Sequence, residues 1–465
     1  MPKRNLIWIV AIIAAAVVVA WVTRSPRPAD YSRSGRAPLA PPARTHRLIR
    51  ENYYLPVDDK TLHRGAVRGM VRQLDEFSSY IPPERVDEFS HRVRGLQRGL
   101  GLRLEIAAGA VTVVGPLPGS PAHRASLTYG DRIVAIDGEK PDGLTLREVR
   151  RLLDGEIDTP VVLTVIRSGA EQQETIELLR DEFPLETVLG CYRDHIGRRV
   201  YAIDPQTGLI YVRIREFVQN TAEEFQRAFR QLSGIRGLIL DLRDNPGGRL
   251  AAAVEAADMF ISKGVIVTKL TRQSAPRIYQ AHNEGTFPPI PMVVLINGRT
   301  ASAAEIVAGA LRFRDRAVLV GSRTRGKGCV QTMFPLQGNL GQINLTTSEF
   351  CFEQDRRITR RPGSDVWGVD PHEPVVISPA QREALEWLWA RAEVLPPEAE
   401  PPQAHSARQR RMLAKWVKAD PQLARAVRLI RSPKRLDAIL ARAAEQREKE
   451  QKLRQMRKAR SRNEE

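Results

Sequence analysis

The sequence contains little cysteine, few aromatic residues and fewer acidic than basic side chains. Its three cysteines in 465 residues exclude a disulfide-stapled scaffold. Aromatic residues make up 6% of the chain, but the apolar share of 42% and the charged share of 27% are ordinary. That balance excludes a wholly disordered chain, a collagen-like repeat and a polytopic membrane protein. A chain of this length usually builds more than one hydrophobic core, so we expect two to four domains.

Acidic residues are outnumbered mainly at the C-terminal end. The chain has 72 Lys and Arg against 54 Asp and Glu, a net charge of +18, and residues 401–465 hold 19 of the basic and 7 of the acidic ones. Most of the net positive charge therefore lies in this C-terminal tail and not in the rest of the chain. Such a run is typically a solvated helix or a disordered tail, and the alternatives are a surface for an acidic partner or for anionic lipid. Nucleic acid is disfavoured because no recognition fold accompanies the charge.

One long uncharged run, residues 6–22, lies near the N-terminus between Lys3-Arg4 and Arg24. Seventeen residues of helix measure about 25 Å, close to the least that spans a bilayer. A cleaved signal peptide has a shorter apolar core and a small-residue cleavage site, and Trp21 is too bulky for one. We expect a membrane anchor, with a signal segment as the alternative, and the rest of the chain outside the cytoplasm, in the periplasm or an equivalent compartment.

Shifts in composition predict the order of segments along the chain. They are the anchor or signal segment at 1–24, a Pro-rich spacer at 25–43, a helical region at 44–93, a β-rich block at 94–182, a block of alternating strands and helices at 183–380, a helix and Pro-rich linker at 381–403, and a basic helical tail at 404–465. Within the β-rich block, strand-forming runs at 110–114, 132–136 and 161–166 surround one helical stretch at 144–153.

The β-rich block opens with two glycines that lead into a strand. Such glycines let consecutive N–H groups turn toward one point and form an anion-binding nest. Beside a strand edge, the natural ligand of a nest is a C-terminal carboxylate. The residues expected to bind it are Gly99, Leu100, Gly101 and Leu102. A tight turn is the alternative, and a dinucleotide site is disfavoured because no helix follows the glycines.

This block as a whole resembles the PDZ domain. It contains Pro116-Leu-Pro-Gly-Ser-Pro-Ala122 and Gly130-Asp-Arg-Ile-Val-Ala-Ile-Asp-Gly138, and its glycine loop comes at the start, as in the PDZ domains of bacterial proteases. The resemblance implies that the helical stretch at 144–153 flanks a groove that binds the C-terminus of a peptide.

Ser302 is the first candidate for chemistry. It follows a buried-strand run at 291–297 and precedes a stretch of strong helix propensity at 303–311. A serine at a strand-to-helix turn exposes its hydroxyl at the positive end of the helix dipole. An ordinary N-cap is the simpler alternative, since serine is common there.

Lys327 is the second candidate, between two glycines in Arg325-Gly-Lys-Gly-Cys-Val-Gln331. A solvated loop charge is the simpler interpretation. A Ser–Lys pair can nonetheless carry out acyl transfer when the lysine is neutral. Small neighbours would let Lys327 come within hydrogen-bond reach of Ser302, and Gln331 could orient its amine.

The third element is Leu238-Ile-Leu-Asp-Leu-Arg-Asp-Asn-Pro-Gly-Gly248, an apolar strand that runs into a glycine turn. Such a turn exposes backbone N–H groups, as an oxyanion hole requires. A plain strand-ending turn is the alternative.

Together these three elements resemble the C-terminal processing peptidases, also called tail-specific proteases, which are serine peptidases with a Ser/Lys dyad. The interval of 25 residues from Ser302 to Lys327 matches the family, and the similarity covers about residues 45–376. The resemblance implies a multidomain α+β and α/β protein with a PDZ domain and a crotonase/ClpP-like peptidase core. It also implies the site residues: Ser302 as nucleophile, Lys327 as general base, Gln331 as its orienting partner, and an oxyanion hole from the backbone N–H groups of Ala303 and of Gly248 or Gly247.

Several positions depart from the family pattern. An Asp often lies eleven residues after the nucleophile, where this chain has Phe313, with Asp315 two residues further on. A third catalytic role is therefore unassigned. Arg325 replaces a Phe and Ala304 replaces a Ser, changes that could alter specificity or rate.

Other chemistries find little support in the sequence. No His, Cys, Asp and Glu cluster has the spacing of metal ligands, none of the eight histidines has a recognisable catalytic context, and no cofactor is expected.

Cys329 and Cys351 flank an apparent hairpin that turns near residues 338–341. In an oxidising compartment they could form a disulfide, and two free thiols are the alternative.

Two functions follow from these residues. The first is a membrane-anchored serine endopeptidase that cleaves proteins near exposed, unstructured C-termini through an acyl-enzyme, with the PDZ domain binding the substrate's C-terminus. The alternative is a catalytically weak or inactive PDZ-containing scaffold that binds peptides. A scaffold has no need to retain both Ser302 and Lys327.

Overall fold

The computed structural model describes residues 36–195, 198–392 and 401–463. The expected anchor at 1–24 and the first part of the spacer lie outside the described residues. Among the helices in these ranges, none combines the length and apolar character needed to cross a bilayer.

Helices form where apolar residues recur at intervals of three and four. In chain order they are α1 (Arg36–Asn52), α2 (Asp59–Val71), α3 (Val86–Arg94), α4 (Pro121–Arg124), α5 (Leu146–Leu153), α6 (Thr221–Arg230), α7 (Leu250–Asp258), α8 (Ala303–Phe313), α9 (Pro379–Ala392), α10 (Pro402–Ala419), α11 (Pro421–Ile430) and α12 (Pro433–Asn463). Side chains of Asp58, Thr145 and Asp420 cap the starts of α2, α5 and α11, as these residue types usually do.

Strands take up most of the remaining apolar runs. In chain order they are β1 (Ser79–Ile81), β2 (Leu96–Gly99), β3 (Leu102–Ala107), β4 (Ala110–Pro116), β5 (Arg132–Ile136), β6 (Pro160–Ile166), β7 (Gln173–Leu179), β8 (Asp181–Pro184), β9 (Val188–Leu189), β10 (Tyr192–Arg193), β11 (Arg199–Val200), β12 (Ala202–Asp204), β13 (Leu209–Ile214), β14 (Gly237–Asp241), β15 (Val265–Thr271), β16 (Arg277–Gln280), β17 (Met292–Ile296), β18 (Val318–Gly321), β19 (Cys329–Pro335), β20 (Gln342–Phe352), β21 (Arg356–Arg357) and β22 (Glu373–Pro374).

The chain divides into two compact units. The described part of the smaller one comprises residues 36–83 and 333–344. In it, β1 pairs antiparallel with the first residues of β20, with Tyr80 opposite Ile343. The Tyr80 hydroxyl donates a hydrogen bond of 2.7 Å to the carbonyl oxygen of Leu340, which fixes the hairpin turn against β1.

The larger unit, whose described part comprises residues 84–332 and 345–463, begins with a five-stranded antiparallel sheet. Its strand order is β3-β4-β5-β6-β7, and α5 contacts β3. The three strand-forming runs and the helical stretch that the sequence predicts correspond to β4, β5, β6 and α5. Because β3 is an edge strand of this sheet, one side of it can accept a further strand.

A second sheet of the larger unit has the order β12-β13-β14-β17-β18-β22 and is parallel from β13 to β22. Parallel sheets are covered on both faces, and successive side chains point to opposite faces. On β14, Leu238 and Leu240 pack with α6, α7 and α8, whereas Ile239 packs with α10 and α11. The sheet therefore lies between two layers of helices.

The basic tail consists of α10, α11 and α12, and its first half is not a solvated appendage. Leu423 of α11 is fully buried, and the ring of Trp416 on α10 meets that of Tyr211 on β13 edge to face at 4.9 Å. The expectation of a solvated or disordered tail is therefore wrong for α10 and α11. Their apolar residues form one face against the sheet, and their charged residues face outward, so the net charge does not reveal the packing.

Of the two alternatives for Cys329 and Cys351, the structure has the free thiols, as it does for Cys191. The strand register gives the reason. Cys351 on β20 lies opposite Thr268 of β15 on one side and Arg357 of β21 on the other. Both of its cross-strand positions are thus occupied by residues other than Cys329.

Replacing Leu423 by Ala should lower the free energy of unfolding by about 2–5 kcal/mol, because it removes a fully buried side chain beneath the sheet. Urea denaturation of the full chain measures the effect. Met456→Ala, at a position 64% exposed on α12, is the matched control and should change little. Equal effects of the two substitutions would show that the tail does not pack on the sheet.

Candidate active site

Ser302 lies at the sharp turn between β17 and α8. It occupies the N-cap position of α8, as the simpler sequence interpretation requires, but its backbone has φ +54° and ψ −119°. Ordinary N-caps are extended, and residues other than glycine rarely adopt a positive φ of this kind. Such a strained strand-to-helix turn projects a nucleophilic hydroxyl away from the sheet.

The turn before Ser302 is bound to the Asn-Pro-Gly-Gly turn after β14. The N–H of Ala301 donates to the carbonyl oxygen of Asn245 at 2.9 Å, and the hydroxyl of Thr300 donates to that of Leu242 at 2.8 Å. A Cβ placed on Gly247 would lie 2.8 Å from the Cβ of Ser302. Only glycine lets the two turns approach this closely, and the third sequence element therefore borders the candidate nucleophile.

The amides of this region differ in their hydrogen bonding. The N–H of Gly247 donates to the side-chain oxygen of Asn245 at 2.8 Å. By contrast, the N–H groups of Gly248 and Ala303 donate to no other residue in the described parts of the chain. Gly248 has φ +132°, and a Cβ there would lie 2.0 Å from the carbonyl oxygen of Phe217. Gly248 and Ala303, rather than Gly247, thus have amides available for an anion.

Lys327 is held by the backbone on both of its sides. The carbonyl oxygen of Gly326 accepts from the N–H of Arg360 at 2.8 Å, and that of Gly328 accepts from the N–H of Phe350 at 2.9 Å. A Cβ on either glycine would come within 2.8 Å of a neighbouring residue, so the glycines are required by close approach. Lys327 itself is half-buried, unlike a solvated loop charge.

The carboxylate of Glu305 joins Ser302 and Lys327. Glu305 is fully buried, and its Oε2 accepts the backbone N–H of Ser302 and that of Lys327, each at 2.8 Å. Its Oε1 accepts the N–H of Gly326 at 2.7 Å and the hydroxyl of Thr324. Two residues 25 positions apart in the sequence are thereby bound to a single oxygen atom.

Burial raises the pKa of the Glu305 carboxyl above its usual value, and the four hydrogen bonds that it accepts oppose the rise. Glu305 is not among the site residues predicted from the sequence. A signal was nevertheless present, since Ser302-Ala-Ala-Glu305 has the spacing of a capping box, in which the glutamate returns to the N-cap N–H. Its additional bonds to Gly326 and Lys327 depend on the tertiary fold.

Gln331, the expected orienting partner of Lys327, lies on β19 four residues further on. Its side-chain NH2 donates to the hydroxyl of Thr346 and to the sulfur of Cys329, each at 3.1 Å. These bonds hold the amide group in one orientation, with Thr346 on the adjacent strand β20.

Phe313 and Asp315 lie at the opposite end of α8 from Ser302. Eleven helical residues measure about 16 Å, so neither position can reach the Ser302 hydroxyl. The ring of Phe313 packs against that of Phe352 with centroids 5.0 Å apart, and Asp315 forms an ion pair with Arg447 of α12. A carboxylate at position 313 would not contact the nucleophile in this fold.

A buried ion network supports the strand that leads to the glycine turn. Arg243 and Asp241 are both fully buried and are joined by hydrogen bonds of 2.6 to 3.0 Å. Arg243 also forms an ion pair of 2.8 Å with Asp420 at the start of α11, and Tyr211 donates to Asp241 at 2.7 Å. Sequence reasoning missed this role, because Asp420 belongs to the tail.

The expected carboxylate loop lies at the start of β3. Gly99 and Gly101 have φ of +104° and +70°, and the carbonyl oxygens of Leu100 and Gly101 accept from Ala122 and Leu117. The N–H groups of Leu100 and Gly101 donate to no other residue that the structure describes. Leu102 begins the edge strand itself. This loop and the Ser302 region form two separate groups of residues.

No group of three or more His, Cys, Asp or Glu side chains within the described ranges has a geometry suited to holding a metal ion.

Comparison with known proteins identifies two matching families. Residues 208–375 match peptidase family S41, and residues 112–167 match the PDZ domain. The carboxy-terminal-processing protease of Bartonella bacilliformis is 34% identical over 307 residues, which cover 64% of this chain and 68% of that protein. The chloroplastic C-terminal processing peptidase of Tetradesmus obliquus is 34% identical over 314 residues, covering 65% and 67%.

Among solved structures, a similar chain is the photosystem II D1 C-terminal processing protease. It shares 28% sequence identity with this chain at a TM-score of 0.43, and the match covers 78% of this chain and 98% of that one.

Glu305→Gln should lower kcat/KM for hydrolysis of a reporter peptide at least about tenfold. The new side-chain NH2 group would face backbone N–H groups whose hydrogen bonds the carboxylate now accepts, and two donors cannot bond to each other. Circular dichroism should show a folded protein. Glu255→Gln, at an exposed position of α7, is the control and should retain the original rate. A variant at position 305 with an unchanged rate would contradict a positioning role for this carboxylate.

Proposed function

Because this chain belongs to the carboxy-terminal processing peptidases of peptidase family S41, which are serine proteases, we propose that it cleaves proteins near exposed C-termini through a Ser302/Lys327 dyad. The observation that carries this proposal is the Glu305 carboxylate, which accepts the backbone N–H groups of both residues on one oxygen atom. A fold that binds these two residues to one buried group keeps their side chains in a fixed relation.

In the first half of the reaction, the neutral amine of Lys327 takes the proton of the Ser302 hydroxyl as its oxygen attacks the scissile carbonyl carbon. The carbonyl oxygen becomes an oxyanion, which accepts hydrogen bonds from the N–H groups of Ala303 and Gly248. Their availability for this purpose is supported by their lack of other acceptors among the described residues. The positive end of α8 adds to the stabilisation.

The tetrahedral intermediate collapses when the C–N bond breaks and Lys327 returns its proton to the departing amine. This leaves an acyl ester on Ser302 and frees the C-terminal fragment. In the second half, Lys327 takes a proton from water, the resulting hydroxide attacks the ester, and Ser302 recovers its proton as the new carboxylate leaves. Gln331, held by Thr346 and Cys329, orients the amine through these steps.

The PDZ domain binds the C-terminus of the substrate. The free carboxylate accepts the N–H groups of Leu100 and Gly101 at the glycine loop, and the preceding residues pair as an added strand with the edge of β3. The positive φ of Gly99 and Gly101 supports this assignment, since that geometry turns successive N–H groups toward one point.

A membrane anchor at residues 6–22 would hold the catalytic body at a membrane surface outside the cytoplasm. Cell fractionation with sequencing of the mature N-terminus tests this part independently of the chemistry. In this proposal the basic tail contacts anionic lipid or an acidic partner through the outward charged faces of its helices, because the apolar faces of α10 and α11 are covered by the sheet.

Ser302→Ala and Lys327→Met should each lower the cleavage rate at least about 1,000-fold, since either change removes a group that acts on the reacting atoms. Mass spectrometry of a denatured protein with an apolar C-terminus measures the shortening. Lys263→Met, at an exposed position, is the control and should leave the rate unchanged. Undiminished cleavage by Ser302→Ala would exclude the dyad and favour another nucleophile.

A substrate with an amidated C-terminus should be cleaved with a kcat/KM at least about tenfold below that of the free acid, because the charge-assisted bonds at the glycine loop are lost. Gly101→Ala should abolish this preference, since its Cβ would lie 2.2 Å from the Cβ of Ser120. Gly109→Ala is the control, because its Cβ meets nothing within 4 Å despite a similar φ. Equal cleavage of both substrates by the original protein would contradict carboxylate recognition.

A further inference from the structure

Helix α12 covers a cavity of about 320 Å³ at the C-terminal end of α8. The cavity is strongly basic, and we call it the arginine cavity. The charged and imidazole side chains that line it are Arg312, Arg356, Arg442, Arg447, His372, Glu373 and Glu450. Its walls come from the last turn of α8, from β21, from α12 and from the segment around β22. The residues of α8 that surround Ser302, namely Ala303 and Glu305, lie at the other end of that helix.

The carboxylates in and around the arginine cavity are already paired. The pairs are Glu373 with Arg425 at 2.7 Å, Glu450 with Arg356 at 3.1 Å, Asp370 with Arg323 at 2.6 Å, and Asp315 with Arg447. Within the described residues, Arg312 and Arg442 have no carboxylate of their own. The cavity therefore carries positive charge that the surrounding residues leave unbalanced.

Arg312, in the last turn of α8, contributes a buried donor. Its Nη1 is buried without a hydrogen-bond partner in the described part of the chain. Burial lowers the pKa of Arg312 to about 10. The carboxylates of Asp370 and Glu450 oppose this shift, and the charges of Arg356 and Arg447 add to it. A buried donor without an acceptor is destabilising, so a guanidinium in this position favours an anion beside it.

His372 contributes a second donor. Its Nδ1 accepts the backbone N–H of Leu319 at 2.9 Å, which places the proton of the neutral ring on Nε2. That Nε2 is also buried and lacks a hydrogen-bond partner among the described residues. Burial lowers the pKa of His372 to about 3, so the ring is a neutral N–H donor at ordinary pH.

We infer that the arginine cavity binds a small ligand that carries phosphate-type oxygens. A guanidinium donates two parallel hydrogen bonds to such a group, the imidazole N–H can supply another, and Arg442 adds charge from α12. A cavity of about 320 Å³ holds a diphosphate-sized group. A ligand there would join α8, whose N-cap is Ser302, to the tail helix that covers the cavity.

Sodium pyrophosphate is the probe, titrated calorimetrically into the full chain at constant ionic strength. Saturable binding with one site per chain is expected, and Arg312→Gln and Arg442→Gln should each weaken it at least about tenfold. Arg442 is exposed, so its substitution tests the cavity even where Arg312→Gln impairs folding. Arg435→Gln, an exposed arginine on the same helix but outside the cavity, should bind like the original protein.

Inorganic phosphate and vesicles containing phosphatidic acid, tested on the same variants, distinguish a free ligand from a lipid headgroup. Binding to either that depends on Arg312 and Arg442, and not on Arg435, supports the site and identifies its source. Absence of saturable binding by pyrophosphate, by inorganic phosphate and by the vesicles overturns the inference. So does binding that all three substitutions weaken equally, because that pattern reports only general attraction to the basic tail.

Discussion

The carboxylate of Glu305 is the interaction on which the candidate active site depends. A buried carboxylate is costly unless its oxygens are fully hydrogen-bonded, and here four donors surround it. Because two of those donors are the backbone N–H groups of Ser302 and Lys327, the structure satisfies the buried charge only when both chain segments are in place.

A second buried charge connects the catalytic sheet to the tail. Arg243 follows β14, two residues before the Asn-Pro-Gly-Gly turn, and lies between Asp241 of the strand and Asp420 at the start of α11. Removing one partner of such a group leaves an uncompensated buried charge, which usually costs about 3–5 kcal/mol. The tail is therefore part of the peptidase core as far as α11. The net charge of the tail comes from residues on the outer faces of its helices. Helix α12, which follows α11, is mostly polar.

Local patterns in the sequence predicted those features that depend on neighbouring residues. Short strand-forming runs predicted β4, β5 and β6, and the strand-to-helix pattern predicted the turn at Ser302. Features formed by distant segments were missed for a physical reason: the bond from Glu305 to Lys327 and the pair of Arg243 with Asp420 require the tertiary topology. The choice between Gly247 and Gly248 likewise depends on which amide Asn245 occupies, and spacing carries no information on that.

The departures from the family pattern have different consequences at the two ends of α8. At its start, Ala304 sits between Ser302 and Glu305 and is fully buried, so a small apolar residue there leaves the bonds of Glu305 intact. At its end, Phe313 lies about 16 Å from the nucleophile, too far for its side chain to take part in proton transfer. Asp315 is bound to Arg447 of α12. At this end of the helix Phe313 therefore packs on β20 and Asp315 holds the tail, while the chemistry depends on the opposite end of the helix.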